Sequence, residues 1–248
     1  MGSVPVKTPL VVIVGETASG KSALAMEIAR KHNGEIICAD SRTVYRGMNI
    51  GTAKPSAQDR AEIPHHLLDV VEPGERFTVA DFKQLAERSI TDIAARGKLP
   101  IMVGGTGLYI DSVLYDYKFG GSERERDEQN PRHLKKTNGK VTNKLRPNTL
   151  VLGLAVERDA LERRVKDRVE QMVKDGLEDE VRGLIDKYGE DIEALKAPGY
   201  KAFAAYMHGE LNLEQAKQQF VRSDLQLAKR QRTWFKRNKS IQWVTNGE

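Results

Sequence analysis

The chain has 248 residues, enough to bury one sizeable hydrophobic core with or without a small appendage. Apolar residues make up 39% and charged residues 30% of the sequence, which is the balance of a globular domain. No stretch approaches the roughly 18 apolar residues of a membrane helix, and the N-terminus carries no apolar signal core. These features predict a cytoplasmic protein that is not embedded in a membrane, and we expect a monomer.

The net charge of +5 is distributed unevenly along the chain. Between Arg222 and Lys239 there are seven lysines and arginines but only one acidic residue, Asp224. This stretch is either an electrostatic footprint for a polyanion or a solvated basic helix, and charge alone leaves both open. The single cysteine, Cys38, lies in an apolar run and is expected to be a small core residue without a disulfide partner.

Short apolar runs alternate with segments of helical period in the first half of the chain. Residues 10–14, 35–39, 99–103 and 149–156 are predicted strands, and 23–29, 78–96 and 108–114 are predicted helices, the second capped by Thr78 with Asp81. This alternation predicts an α/β fold with a doubly wound parallel sheet. Residues 158–187 and most of the final third are predicted to be helical, and 241–245 is predicted to be an edge strand.

A glycine-rich segment follows the first predicted strand and opens the next helix. It fits Gly-x4-Gly-Lys-Ser, and its residues are Gly15, Glu16, Thr17, Ala18, Ser19, Gly20, Lys21 and Ser22. In such a P-loop the glycines let backbone amides converge on a phosphate, the lysine adds a charge and the serine can hold Mg²⁺. The segment predicts a phosphate or diphosphate site, with no preference for ATP.

Polar side chains also follow the second and third predicted strands, at the sheet edge where ligands bind. Asp40 is a candidate general base, magnesium ligand or turn cap, and Thr106 either bonds a substrate or caps the next helix. No acidic residue closes the strand 101–103, which argues against a motor ATPase. His65 and His66 are adjacent without further metal ligands, so hydrogen-bonding or structural roles are expected rather than a zinc site. Trp234 and Phe235 are more typical of core than of base-stacking residues.

Five motifs in this order resemble tRNA dimethylallyltransferases. Beyond the P-loop they are Asp40-Ser-Arg-Thr-Val-Tyr-Arg-Gly-Met48 with Ile50-Gly-Thr-Ala-Lys-Pro55, Pro64-His-His-Leu-Leu-Asp69, Val103-Gly-Gly-Thr-Gly-Leu-Tyr109 and Gln226-Leu-Ala-Lys-Arg-Gln-Arg-Thr-Trp234. The resemblance covers most of the chain outside 120–148. It implies a P-loop NTPase-like core, formed by 1–119 and 149–248 with C-terminal helices, and a shortened insertion at 120–148.

The resemblance further implies that dimethylallyl diphosphate donates its prenyl group to N6 of the adenosine immediately 3′ of the anticodon in tRNA, assisted by magnesium. Asp40 would accept the proton, and Lys21 and Thr106 would act beside it. The P-loop residues and Lys196, where the family carries an arginine, would bind the diphosphate, with Ser22 at the metal. The implied contacts with the tRNA anticodon loop are Asp40, Ser41, Arg42, Thr43, Thr106, Arg132, His133, Lys136, Lys229 and Arg230.

Three alternatives stay open at this point. A small-molecule P-loop kinase would use the same loop and sheet, with an arginine lid at Arg124, Arg126 and Arg132. A second enzyme would prenylate free adenine nucleotides. An RNA-binding module with a relict loop has only the basic C-terminal stretch in its favour, because a complete P-loop beside Asp40 and Thr106 argues against decay.

Overall fold

The computed structural model describes residues 8–119 and 144–245. Their strands are β1 (Leu10–Gly15), β2 (Gly34–Cys38), β3 (His65–His66), β4 (Leu99–Gly104), β5 (Thr149–Ala155) and β6 (Gln242–Thr245). All pair in parallel in one sheet, in the order β3-β2-β4-β1-β5-β6. Central β1 sets the register, since Val12 pairs with Met102 of β4 and Val151 of β5. The predicted edge strand at the C-terminal end is confirmed as β6.

The helices follow the predicted pattern closely. They are α1 (Lys21–His32), α2 (Ala57–Glu62), α3 (Val79–Ala95), α4 (Gly107–Leu114), α5 (Arg158–Lys174), α6 (Leu177–Tyr188), α7 (Pro198–Met207) and α8 (Leu213–Phe235), with a 3-10 turn at Glu193–Lys196. Thr78 and Asp81 form the expected capping box of α3. The region predicted as one helix over 158–187 is two helices, because Gly176 adopts a φ of +96° between them.

Apolar residues cover both faces of the sheet, which confirms the doubly wound architecture. Val12 and Val14 pack in a cluster with α3, α4 and Phe235 of α8. Ile13, on the opposite face of β1, packs in a second cluster with Ala25 and Met26 of α1. The continuous apolar runs of β1 and β4 follow from burial on both sides.

The glycine-containing stretch after β2 is more ordered than its sequence indicates. It includes α2 and the edge strand β3, and Tyr45 and Met48 pack into an apolar cluster formed mainly by α5 to α8. Glu180 of α6 accepts hydrogen bonds from the successive amides of Asn49, Ile50 and Gly51 at 2.8–3.0 Å. A distant carboxylate thus fixes a turn that local propensity leaves undetermined.

The two adjacent histidines are both hydrogen-bonded, and His65 also lines a cavity beside the P-loop. His65 Nδ1 lies 2.7 Å from the Ile63 carbonyl, and His66 Nε2 lies 2.7 Å from the buried Glu35 carboxylate. Within residues 8–119 and 144–245, no cluster of three or more His, Cys, Asp or Glu side chains is arranged to hold a metal ion. In the same ranges, no helix is long and apolar enough to cross a membrane.

Candidate phosphate and acceptor site

The P-loop connects β1 to α1, so the N-terminus of α1 faces the loop. Ala18 and Gly20 adopt positive φ values of 58° and 95°, which turn the chain before Lys21 opens the helix. The Lys21 ammonium donates to the Glu16 carbonyl at 3.1 Å. Lys21 and Ser22 line a cavity of about 180 Å³ together with Thr17, Ala18 and Gly20. Backbone amides, a helix N-terminus and a cation thus converge on one space, as a phosphate requires.

Burial and the neighbouring acidic groups act in opposite directions on the pKa of Lys21. Burial lowers the pKa of its ammonium to about 8, and the nearby Asp40 carboxylate partly offsets this by favouring the charged form. Lys21 therefore carries its charge at neutral pH and loses it as the pH rises through about 8. A bound anion would stabilise the ammonium further.

Asp40 enters the same cavity from the carboxyl end of β2. Its Oδ1 accepts the Arg42 amide at 2.8 Å, which fixes the carboxylate on the turn that follows the strand. The ends of β2 and β4 are pressed together, since a side chain at Gly104 would bring its Cβ to 2.0 Å from the Ala39 carbonyl. Only glycine fits at this position.

Thr106 lies beside Asp40 and does not cap the next helix. Although it occupies the position before α4, its hydroxyl makes no capping bond. Instead its Oγ1 accepts the Ser41 amide at 3.0 Å and lies 3.4 Å from the Ser41 hydroxyl. Thr106 is therefore not the cap of α4, which was one of the two roles considered for it. Its hydrogen bond instead connects the loop after β4 to the segment after β2.

Arg168 of α5 is a cavity residue that the sequence did not indicate. It lines the cavity with Lys21 and Asp40, and its Nη2 donates to Asp224 Oδ2 at 2.5 Å. Asp224 is buried, and burial raises its pKa even though Arg168 favours the carboxylate. The Arg168 Nε is also buried and has no hydrogen-bond partner among the residues that the structure describes. A buried donor on a held guanidinium beside the P-loop fits an anionic ligand.

Two side chains of helix α8 bond to residues of the P-loop. Gln231 accepts the Thr17 amide at 2.7 Å and donates to the Gly105 carbonyl at 3.1 Å, so one side chain bridges the two loops of the site. The neighbouring Arg232 pairs with the buried Glu16 carboxylate. The acidic side chain of the loop is thereby neutralised by α8 rather than presented to a phosphate.

The cavity also has an apolar wall, which includes Cys38, Ala53, Pro55 and Val103. Cys38 is buried as predicted, and burial raises the pKa of its thiol to about 12, so it remains an uncharged apolar surface at neutral pH. The predicted core role of the C-terminal aromatics is confirmed as well. Phe235 is buried, and Trp234 packs against the same core while donating to Asp111 at 2.8 Å.

Thr43 also lines the cavity, whereas the predicted contacts Lys196, Lys229 and Arg230 do not. Lys196 is exposed, pairs with Glu193 at 2.9 Å and is not among the residues lining the cavity, although the Glu193 carbonyl accepts a bond from Arg42. Lys229 and Arg230 are exposed on α8 and form no ion pair with a described residue. Arg132, His133 and Lys136, like the arginines of the kinase lid, lie outside the described ranges. These assignments stay predictions.

The strand order and the P-loop at the end of β1 identify the fold as P-loop NTPase-like. The candidate site lies across the ends of β2, β4 and β1.

Comparison with known proteins narrows this class. The IPP transferase family model matches residues 43–147 and 125–238. A tRNA dimethylallyltransferase of Desulforudis audaxviator is 40% identical over 286 aligned positions, which cover 96% of this chain and 92% of the relative. The solved full-length tRNA isopentenylpyrophosphate transferase of Bacillus halodurans superposes with a TM-score of 0.83 at 37% identity, over 96% of this chain and 90% of that one. A solved eukaryotic dimethylallyltransferase acting on tRNA gives 0.79 at 25% identity, over 96% and 74%. This chain belongs to the tRNA dimethylallyltransferase family.

Proposed function

We propose that this protein transfers the dimethylallyl group of dimethylallyl diphosphate to N6 of the adenosine immediately 3′ of the anticodon in tRNA. The observation that carries the proposal is the composition of one cavity. Lys21, Ser22 and Arg168 supply a diphosphate site, Asp40 supplies a base, and apolar side chains including Cys38 supply a surface for a short prenyl chain. The names of the relatives support prenyl transfer to tRNA, without specifying the acceptor atom.

The diphosphate leaves with the electrons of the bond to the allylic carbon, so negative charge grows on the leaving group. The P-loop amides, the N-terminus of α1, Lys21 and Arg168 are all positioned to offset it. Because these groups are fixed before the reaction, they stabilise the developing charge without reorganising. The hydrogen bond to Asp224 holds the Arg168 guanidinium in place.

The adenine amine forms the new bond to carbon and gives up a proton. Asp40 takes this proton in the proposed mechanism, and the bond from the Arg42 amide to Oδ1 holds its carboxylate in place. Thr106 braces the same segment through the Ser41 amide and would help position the base or donor. Since N6 is hindered within a stacked loop, the adenosine would be extruded into the cavity.

Magnesium fits this site as a partner of the diphosphate. No cage of three acidic or histidine ligands exists in the described ranges, but Mg²⁺ is commonly held by one or two protein oxygens together with phosphates and water. The Ser22 hydroxyl, at the start of α1 in the cavity, would be such a ligand. Bound there, the ion would neutralise charge on the departing diphosphate.

Binding of tRNA is proposed to involve residues 40–43 and the exposed Lys229 and Arg230, with the segment 120–148 as a shortened form of the family insertion. Two observations support the shortening. The alignment with the Desulforudis audaxviator enzyme has 286 positions, more than the 248 residues of this chain, so that relative contains residues without a counterpart here. The two matches to the family model also overlap within this part of the chain, at 125–147.

The test uses unmodified tRNA, dimethylallyl diphosphate and magnesium, followed by mass spectrometry of the digested RNA. We expect one prenyl group on one loop adenosine. Asp40→Asn should bind the donor normally but turn over about 10²- to 10⁴-fold more slowly, the usual loss of a general base. Asp92→Asn, a change of an exposed aspartate on α3, is the matched control and should be fully active. Unchanged turnover of Asp40→Asn would refute its role, and ATP-dependent phosphorylation of a nucleotide without prenylation would refute the function.

A further inference from the structure

A second cavity lies on the other side of the P-loop. Its volume is about 320 Å³, and its walls include Gly15 and Glu16 of the loop, Leu154 at the end of β5, Phe235 and Trp243. The first cavity spans the carboxyl ends of β2, β4 and β1, whereas this one spans the ends of β1, β5 and β6. Among the residues assigned to the donor or to the general base, only Gly15 and Glu16 of the P-loop line it.

Trp243 forms a flat platform in this cavity. It is paired with Gly153 of β5, and a Cβ on that glycine would come within 2.8–3.0 Å of the indole ring. The ring therefore packs closely against the Gly153 backbone, which a side chain at that position would prevent. Trp243 is nevertheless 42% exposed, in contrast to Trp234, which bonds Asp111 and packs on the core.

Two basic side chains line the cavity beside Trp243, and one of them is unpaired among the described residues. Lys236 and Arg232 line the same cavity, and Arg232 is engaged with Glu16. Lys236 is exposed and pairs with no acidic residue of the described ranges, and the same holds for Arg237 and Lys239 after it. An exposed aromatic ring in a concave site beside unpaired cations is the arrangement that binds single-stranded nucleic acid, by base stacking and phosphate contact.

We propose that this cavity binds an unpaired nucleotide of the substrate RNA, with its base stacked on Trp243 and its phosphate at Lys236. The inference rests on the proposed function, since it assumes an RNA substrate. The nucleotide is not the one that reacts. Four strand spacings of about 4.8 Å separate the ends of β2 and β6, so Asp40 and Trp243 lie about 19 Å apart along the sheet edge. The cavity thus provides a second anchor that holds the RNA while its reacting adenosine enters the first.

The experiment measures the affinity of unmodified tRNA for wild type and four variants over a series of salt concentrations. Trp243→Ala should weaken binding at least tenfold, and Trp243→Phe, which keeps an aromatic face, should stay within about threefold of wild type. Lys236→Ala should reduce the salt dependence of binding by about one unit. Leu150→Ala removes another exposed apolar side chain, 39% exposed on β5, and should change nothing. Donor affinity should be the same in all variants.

A second readout does not depend on the Trp243→Ala variant being folded. The chain has two tryptophans, so the difference between wild type and Trp243→Phe isolates the fluorescence of Trp243. We expect tRNA to quench it and adenosine monophosphate alone to leave it unchanged. Undiminished tRNA affinity in Trp243→Ala, or a Trp243 signal that responds to the free nucleotide and not to tRNA, would overturn the proposal. Absence of prenylation by wild type would instead refute the proposed function.

Discussion

Gln231 offers the sharpest test of how the site is held together, because one buried amide bridges both of its loops. Its side chain accepts the Thr17 amide at 2.7 Å and donates to the Gly105 carbonyl at 3.1 Å. Leucine has nearly the same shape but neither polar atom, so Gln231→Leu leaves one backbone donor and one backbone acceptor without a partner. Each unsatisfied buried group costs about 1–3 kcal/mol, and we expect the free energy of unfolding to fall by about 2–4 kcal/mol.

The same change should loosen the P-loop, so the donor should bind about tenfold more weakly even at temperatures where the variant is fully folded. Denaturant unfolding gives the stability, and calorimetric titration with dimethylallyl diphosphate gives the affinity. Gln226→Leu, an exposed position on the same helix, is the control and should shift stability by less than about 0.5 kcal/mol. A Gln231→Leu protein with wild-type stability and donor affinity would show that the bridge does not order the loop.

Two further predictions concern the cations of the cavity. Burial lowers the pKa of Lys21 to about 8, so the free enzyme loses this charge as the pH rises through 8, and kcat/KM for the donor should decline above that pH. The Lys21→Arg variant should be slower at neutral pH but should show no such decline. If the decline is unchanged in the arginine variant, the titrating group is not Lys21. Arg168→Ala should raise the donor KM about tenfold, which corresponds to the loss of one charge-assisted hydrogen bond. It should also lower the unfolding midpoint, because Asp224 stays buried without its partner. An unaltered donor KM would show that Arg168 has only a structural role.

The parts of the site that the sequence predicted are those with local signatures. Gly15 to Ser22 combine a fixed spacing with a preceding strand and a following helix, and all three are visible within one short window. Asp40 and Thr106 follow predicted strands, and because parallel strands end at the same edge, their proximity followed from the fold alone.

The residues that the sequence did not predict act across long separations. Arg168 reaches the P-loop cavity from a helix that begins well over a hundred residues later, and its neighbours on α5 show only an ordinary amphipathic period. Gln231 is separated from Thr17 by 214 positions and sits in a basic stretch where charge dominates the pattern. The turn at 49–51 is likewise fixed by Glu180, more than a hundred residues away. No local propensity encodes such contacts, since they exist only after the sheet and helices have packed.

Some predictions have no structural counterpart among the described residues. The tRNA contacts at Arg132, His133 and Lys136 and the domain boundaries around 120–148 stay predictions, as do the magnesium ion, the cytoplasmic location and the monomeric state. The diphosphate role of Lys196 also stays a prediction. Because the Lys196 ammonium is paired with the Glu193 carboxylate, this ion pair would have to break before Lys196 could bind a phosphate.

The central claim is that the adenosine next to the anticodon is the acceptor, and a pair of transcripts tests it most directly. Both are the same unmodified tRNA, one with adenosine and one with guanosine at the position 3′ of the anticodon. After incubation with the protein, dimethylallyl diphosphate and magnesium, digestion to nucleosides should release N6-dimethylallyladenosine from the first transcript and no prenylated nucleoside from the second. Prenylation of both transcripts, or of free adenosine monophosphate in place of either, would contradict the account.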